Sequence, residues 1–463
     1  MTDSAKREDA GITLARYAAN LRYEDLPADV VAKVKELILD SFGVALAGST
    51  APGIDAAVKM IRQWGGNPEA TLYGHGLKLP SSSVAMVNGA MSTARDFDDT
   101  LDDAMLHTQP SVLPGVLAMA EAEGGRNGRD IIAAVTAGAE LISRMGHARR
   151  KGQEFLPTGT CGALGTAGAV ARLLGLPFEG VLNACGVAYS QCAANVQPLR
   201  DGATVKRFHA GFAARNGVVA ATLARNGLTG ARHFLEGPYG YYNLYERGEY
   251  DPAPLTKDLG RYFHLKELAL KPWPSARDNH GIVDAALELA AEHDLKAEQI
   301  ASIDAYLPPN AFGVSGKPWA KADGHPVVEA IVSGAYCVAV AVIRRGLYLE
   351  DFTEERIADP AVGALARRVN VALFPGVTSE IAFVPQMLRV HLKSGRTIER
   401  RIDTMKGHPG KPMSRPEVID KFRRCGKFAA RPASAKQLDA IIHAVDNLEA
   451  MKDVRELGVL MAL

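Results

Sequence analysis

Apolar positions recur at helical spacing through most of the first half of the chain. Between residues 8 and 48 they predict two helices, the second entered through Leu26-Pro27 and carrying Val30, Val34, Leu37, Ile38 and Phe42 on one face, with Gly48 as its stop. Residues 84–106 continue the helical reading, and 112–123 repeat it with Leu113, Val116, Leu117 and Ala120. In the stretch opened by Asp130 the stripe is Ile131, Ile132, Val135, Leu141, Ile142 and Met145. Ala133, Ala134, Ala137 and Gly138 there are small enough for helices to approach closely. From 158 to 226 Gly and Ala dominate, with helical runs near 162–174, 179–194 and 209–226.

The texture changes at Lys271-Pro272-Trp273-Pro274. One helix follows, marked by Ile282, Val283, Ala286, Leu287 and Leu289. Ile303–Leu307, Met387–Leu392 and Thr397–Ile402 then read as strands, the last two as a hairpin about Ser394-Gly395. Pro308, Pro309, Pro318, Pro326 and Pro385 break up the region between. From Pro416 the pattern is helical again, ending in the stripe Leu438, Ile441, Ile442, Val445 and Leu448. The expected fold class is therefore mainly α: a discontinuous all-helical domain (1–270 and 406–463) with an inserted smaller α+β lid domain (271–405). Ligands favour such junctions.

Composition narrows the partners more than the chemistry. With 53 basic against 52 acidic residues, nothing argues for nucleic acid or an anionic membrane. The longest uncharged stretch, 181–199, contains Asn183, Ser190, Gln191, Asn195 and Gln197 and does not read as a membrane span. The first ten residues have no apolar signal core, so a cytoplasmic protein is expected. Five scattered cysteines, Cys161, Cys185, Cys192, Cys337 and Cys425, form no CxxC pair and suggest reduced thiols without a metal motif.

Chemistry is densest at residues 96–107, where Asp96, Asp98, Asp99, Asp102 and Asp103 surround Thr100 and the run ends in His107. If the preceding helix continues, Asp96, Asp99, Thr100 and Asp103 share one face. His107 then stands at a helix end before Thr108-Gln109-Pro110. Lys206 and His209 lie one helical turn apart. His280 opens a helix with Asp284 four residues on, a spacing suited to orienting an imidazole. Thr158-Gly159-Thr160-Cys161-Gly162 lacks a phosphate-loop ending, and is read instead as a Gly-rich turn before a helix. Lys406 to Pro412 reads as a domain-crossing loop. Asp98-Asp99-Thr100-Leu101-Asp102 also matches a magnesium-chelating DDxxD string, but no second acidic motif follows it.

Taken together, these stretches resemble the MmgE/PrpD family. The resemblance is carried by Leu39 to Gly48, Asn88-Gly89, Asp96 to Thr100 with His107, Pro157 to Gly162, Lys206 to Gly211, Lys271 to Pro274 with His280, and Lys406 through Pro412 to Lys421-Phe422, in the family's order. It implies a helical domain with an α+β lid, a homodimer, and a cleft site working without metal or cofactor. Family members include 2-methylcitrate dehydratase, cis-aconitate decarboxylase and iminodisuccinate epimerase. The family's site positions fall on Asp96, Thr100, His107, Lys206, Lys271 and His280. In that reading His107, Lys206, His280 and Asp96 are catalytic, Thr100 and Lys271 bind substrate, and both histidines exchange protons beside a carboxylate held by lysines.

The expected reaction is lyase chemistry on a small polycarboxylate or hydroxy acid. Dehydration of the 2-methylcitrate type comes first; decarboxylation, epimerisation and an inactive carboxylate binder are the alternatives. Four positions depart from the family pattern: Leu156 and Thr93 where histidines are common, Thr108 where proline is common, and Arg95 at a usually apolar position, expected to point to solvent. Leu156 makes a tricarboxylate substrate less suitable if it faces the site.

Overall fold

In the computed structural model, residues 8–150, 154–320, 325–379 and 382–463 are described. The helices begin where the sequence supplies caps. α1 (Ala10–Asn20) starts at Asp9, whose carboxylate accepts from Gly11 N at 2.8 Å, and α2 (Ala28–Gly48) starts directly after Pro27. α2 ends at the expected glycine, which α4 crosses so closely that a Cβ on Gly48 would lie 1.9 Å from the Met91 carbonyl oxygen. Between α2 and α4 the chain forms α3 (Ile54–Trp64) and a two-stranded hairpin of β1 (Ala70–Leu72) and β2 (Leu77–Leu79).

α4 (Ser81–Thr93), α5 (Gln109–Glu123), α6 (Gly128–Ala148), α7 (Pro157–Leu173) and α8 (Phe178–Tyr189) follow. The short α9 (Gln197–Arg200) leads to α10 (Phe208–Arg225). The cap of α6 is Asn127, reciprocally bonded with Asp130, so Asp130 closes the box rather than opening the helix. α10 crosses α4 at Gly211, where an added Cβ would meet the Met86 carbonyl oxygen at 2.2 Å. That close approach carries Lys206, just before α10, to the end of α4.

After the short α11 (Tyr241–Tyr245) and α12 (Ala253–Thr256), α13 (His280–Glu292) packs on a four-stranded sheet in the order β4-β3-β5-β6. β3 (Ile300–Leu307), β5 (Gln386–Leu392) and β6 (Thr397–Ile402) are the expected strands, β5 and β6 forming the expected hairpin. β4 (Val369–Leu373) lies parallel to β3. The proline-rich interval between β3 and β5 is more ordered than its breakers suggested, holding α14 (Pro309–Ser315), α15 (Pro326–Val332), α16 (Gly334–Arg344), α17 (Glu354–Ile357), α18 (Pro360–Ala366) and β4. Proline stands at the first turn of α14, α15 and α18, where its missing N–H costs nothing.

α19 (Arg415–Lys427), α20 (Ala435–Asp446) and α21 (Arg455–Ala462) complete a mainly α chain. One apolar core joins Leu14, Leu37, Phe42, Val135 and Leu164 to Phe422, Ile441 and Leu457 from the chain's end. A second contains Ile282, Ile303, Val338, Leu365, Leu388 and Ile398. No single helix among the described residues is long and apolar enough to cross a membrane. The five cysteines are free thiols.

Candidate active site

The acidic stretch is not a continuation of α4. Ala94 caps the helix, and Asp96 turns the chain with φ 47°, a left-handed conformation that aspartate tolerates better than most side chains. Asp96, Asp99, Thr100 and Asp103 therefore do not share a helical face. Thr100 instead pairs with Ala269 through two backbone hydrogen bonds of 2.9 and 2.8 Å, so that the segment ending in Lys271 lies beside the acidic loop.

That pairing and the α10–α4 crossing put both lysines on one residue. Lys206 Nζ lies 2.5 Å from Asp96 Oδ1, and Lys271 Nζ donates to the Asp96 carbonyl at 3.0 Å. Burial alone would raise Asp96, but the two ammonium groups outweigh it and hold the carboxyl below its ordinary range. For Lys206 burial is likewise outweighed, by Asp96, and its pKa is raised. For Lys271 burial prevails over Asp98 and Asp96 and its pKa is lowered.

The other acids have separate employments. Asp99 accepts from Thr108 N and Oγ1, each at 3.0 Å, and from Gln109 N at 3.2 Å, capping α5 from the loop that precedes it. A proline at position 108 would remove one of those donors. Asp102 takes Arg277 in a forked pair, Nη2 to Oδ2 at 2.6 Å and Nε to Oδ1 at 3.0 Å, while Asp103 is exposed. Because these carboxylates serve a helix end and an arginine, the DDxxD string is not a row of chelators. His107 stands before α5 begins rather than at a helix end.

His107 is held in one tautomer. Its Nδ1 lies 2.6 Å from the Asp99 carbonyl oxygen, which can only accept, so Nδ1 carries a proton, and in the neutral ring Nε2 is the nitrogen with the lone pair. Asp98 Oδ2 is 3.0 Å from the same nitrogen. Burial raises Asp98, but His107 and the nearby lysines outweigh it and leave the carboxyl well below its usual range. The backbone N–H of His107 donates to Thr158 Oγ1 at 3.1 Å. Thr158 belongs to the first turn of α7, so 158–162 is helix from the start and not the expected free turn.

Asp96, Thr100, His107, Lys206 and Lys271 line one cavity of about 130 Å³. Arg149, Arg277 and Asp278 add charge to its wall; Met105, Leu156, Val314, Val332 and Phe383 make another part apolar. Asp96, Leu199, Lys206, Val314 and Val332 also line a wider cleft of about 290 Å³, which adjoins the cavity. Arg149 is paired with Glu246 at 2.6 Å. Arg277 and Asp278 escaped the sequence reading although they lie between Lys271 and His280, since neither completes a motif.

His280, by contrast, is fully buried and is not part of the cavity wall. Arg277 Nη1 donates to its Nδ1 at 3.2 Å, leaving Nε2 as the protonated nitrogen, which faces the Ser275 carbonyl at 3.3 Å. Burial and the Arg277 and Lys271 charges push its pKa far down. Asp284 does not orient it: that carboxylate accepts from Trp273 Nε1 at 2.9 Å and Lys406 N at 2.7 Å. Arg95 is turned neither to the cavity nor to free solvent, donating to the Ala47 carbonyl and Thr50 Oγ1. Leu156 does face the cavity.

A second histidine cluster lies elsewhere. His147 Nε2 and His264 Nδ1 approach the same oxygen of Glu267 at 2.7 and 3.2 Å, and Tyr262 donates to the other oxygen at 2.6 Å. These are the distances of a closed hydrogen-bond network.

Comparison with known proteins fits this architecture. The sequence profile of the MmgE/PrpD N-terminal domain matches residues 12–253, and that of the MmgE/PrpD C-terminal domain matches residues 273–447. Cis-aconitate decarboxylase of Homo sapiens is 28% identical over 454 residues, covering 95% of this chain and 92% of its own. Cis-aconitate decarboxylase of Aspergillus terreus is 27% identical over 482 residues, covering 98% and 97%. 2-Methylcitrate dehydratase of Cupriavidus necator is 23% identical over 479 residues, covering 96% and 95%.

Proposed function

The chain belongs to the MmgE/PrpD family, and from that premise we propose that it is a lyase acting on a small carboxylic acid by proton transfer beside a carboxylate. The observation that carries this reading is the fixed tautomer of His107, whose lone-pair nitrogen belongs to a ring lining the same cavity as Lys206 and Lys271. A substrate carboxylate bound by the two ammonium groups accepts the electron pair released at the adjacent carbon, giving an enediolate that the cations stabilise in place. Lys206 is held by Asp96. Lys271, bonded to a backbone carbonyl, keeps more of its charge for the anion.

That intermediate is reached either by loss of carbon dioxide or by removal of a proton by His107 Nε2, after which its electron pair expels a leaving group. We place decarboxylation first and 2-methylcitrate-type dehydration second. Relatives named cis-aconitate decarboxylase match at 27–28% identity, against 23% for the dehydratase. The apolar wall of Leu156, Val332 and Phe383 also favours it, because a carboxylate seated there loses hydration that carbon dioxide does not need. Leu156 supports a substrate with fewer charged groups than cis-aconitate. The assembly we propose is a homodimer, with residues 271–405 forming the lid of the cleft.

Proton NMR in D₂O tests this with chelator-treated protein and a panel of cis-aconitate, 2-methylcitrate, citrate, malate and iminodisuccinate, together with trapping of released carbon dioxide. The expected result is carbon dioxide release with one solvent deuteron in the product. Loss of water without carbon dioxide would establish the second reading, and no exchange with any member would overturn both.

A further inference from the structure

The enediolate that decarboxylation leaves at this site needs a group that gives a proton to carbon. His280 is badly placed for this, being enclosed, with both ring nitrogens engaged behind Arg277. Asp278 is the carboxyl on the cavity wall to which no other role attaches. It sits between Arg277 and Asn279 in the turn before α13, only 8% exposed, and shares the cavity with His107, Lys206 and Lys271. An amide holds it in place: Asn310 Nδ2 donates to its Oδ1 at 3.3 Å, and Gln386 Nε2 fixes its backbone carbonyl at 2.8 Å.

We propose that Asp278 is the acid of the site, giving its carboxyl proton to the reacting carbon, with His280 acting only through Arg277 as a positioning residue. This rests on the lyase reading above. In the step, the bond to the departing carboxylate breaks and carbon dioxide leaves. The electron pair resides in the enediolate, then forms a C–H bond with the Asp278 proton, and the resulting Asp278 carboxylate regains a proton from water as product departs.

The surroundings suit a proton carrier. Burial, assisted by the Asp96 charge and opposed by Lys271 and Lys206, pushes the Asp278 carboxyl up to about 7. The charged and titratable groups facing the same space are Asp96, His107, Arg149, Lys206, Lys271 and Arg277. A substrate anion brought against Asp278 favours its protonated form further, so binding and proton uptake are coupled.

The test pairs turnover with proton counting. Maleate, a rigid dicarboxylate, is titrated calorimetrically into wild type and Asp278→Asn at pH 8 in buffers of different ionisation enthalpy. Lys271 and His107 also face the anion, so the difference between the proteins is the readout. The proposal expects wild type to take up most of a proton that Asp278→Asn does not. It also expects kcat of Asp278→Asn to fall roughly 10²–10⁴-fold with the basic limb of its pH profile gone. His280→Gln keeps that limb while lowering kcat. Equal proton uptake in the two proteins, or an unchanged pH profile in Asp278→Asn, overturns the assignment. If wild type turns over no member of the panel, the lyase reading falls separately. Proton counting then still decides whether Asp278 carries the proton.

Discussion

Lys206 and Asp96, 110 residues apart, meet at 2.5 Å with the lysine side chain 24% and the aspartate side chain 13% exposed. The pair joins the loop after α4 to the turn before α10, and the same aspartate's carbonyl receives Lys271. One residue in a left-handed turn thus sets the position of both cations of the cavity.

Removing one member of this pair leaves the other charged and largely enclosed. Lys206→Met and Asp96→Asn should each cost on the order of 3 kcal/mol in stability by chemical denaturation. The double variant should lose less than the sum of the two, since it strands no charge. Both single variants should lower kcat/KM at least about 100-fold, measured on whichever panel member is turned over. Additive losses in the double variant would show that the ion pair does not couple the two residues.

His107 should matter through its free nitrogen. His107→Asn is expected to reduce kcat by roughly 10²–10⁴-fold while the thermal melt stays near wild type, because its amide can replace the Nδ1 donor beside the buried Asp98 carboxylate but supplies no base. Asp99→Ala is expected to behave differently, lowering the melting temperature, since Thr108 and Gln109 N–H groups at the start of α5 lose their acceptor. A His107→Asn protein with wild-type turnover would remove this residue from the mechanism.

Much of the helical architecture is written in apolar stripes, because Val30, Val34, Leu37 and their counterparts face one core and nothing else competes for them. The acidic loop misleads for a physical reason. Its acids repeat at helical spacing, but Asp96 and Asp99 are held by groups distant in the chain or beyond the turn, and those contacts override the local pattern. Spacing within a segment carries no record of such partners. Arg277 and Asp278 were equally silent, being neighbours whose side chains serve Asp102 on one hand and the cavity on the other. The helices between β3 and β5 were hidden because their prolines look like breakers, and only the first-turn position of three of them makes them starts instead.

A buried pair outside the cavity wall should govern how stability varies with pH. Lys421 Nζ lies 2.6 Å from Asp40 Oδ1, donates to the Phe97 carbonyl at 2.7 Å and sits over the Phe97 ring, so it ties α2 and α19 to the residue next to Asp96. Burial pushes the Asp40 carboxyl up to about 6, against the opposing influence of Lys421. A raised carboxyl binds its proton more tightly folded than unfolded. Its contribution to stability is therefore greatest below about pH 4 and declines as pH rises through 6. In Lys421→Met the lowering influence is gone. That variant should be destabilised by about 3–5 kcal/mol at pH 8 and recover part of the loss at pH 5.5, in urea denaturation at the two pH values. A loss independent of pH would mean that Asp40 is not the group left stranded.

Leu156 offers the most direct handle on what the cavity accepts. It precedes α7 and contributes an apolar side chain to the wall that faces Lys206 and Lys271, at a position where the family pattern has an imidazole. An isobutyl group there cannot donate to a further carboxylate, and a charge placed against it goes unsatisfied. Leu156→His should therefore raise kcat/KM for cis-aconitate relative to a dicarboxylate substrate by roughly 10–200-fold, the range that one pocket contact commands. Competition between the two substrates, followed by NMR, measures the ratio directly. An unchanged ratio in a folded Leu156→His protein would mean that charge recognition lies with the cations alone, and the size of the substrate would then be set by the apolar wall of Val332 and Phe383.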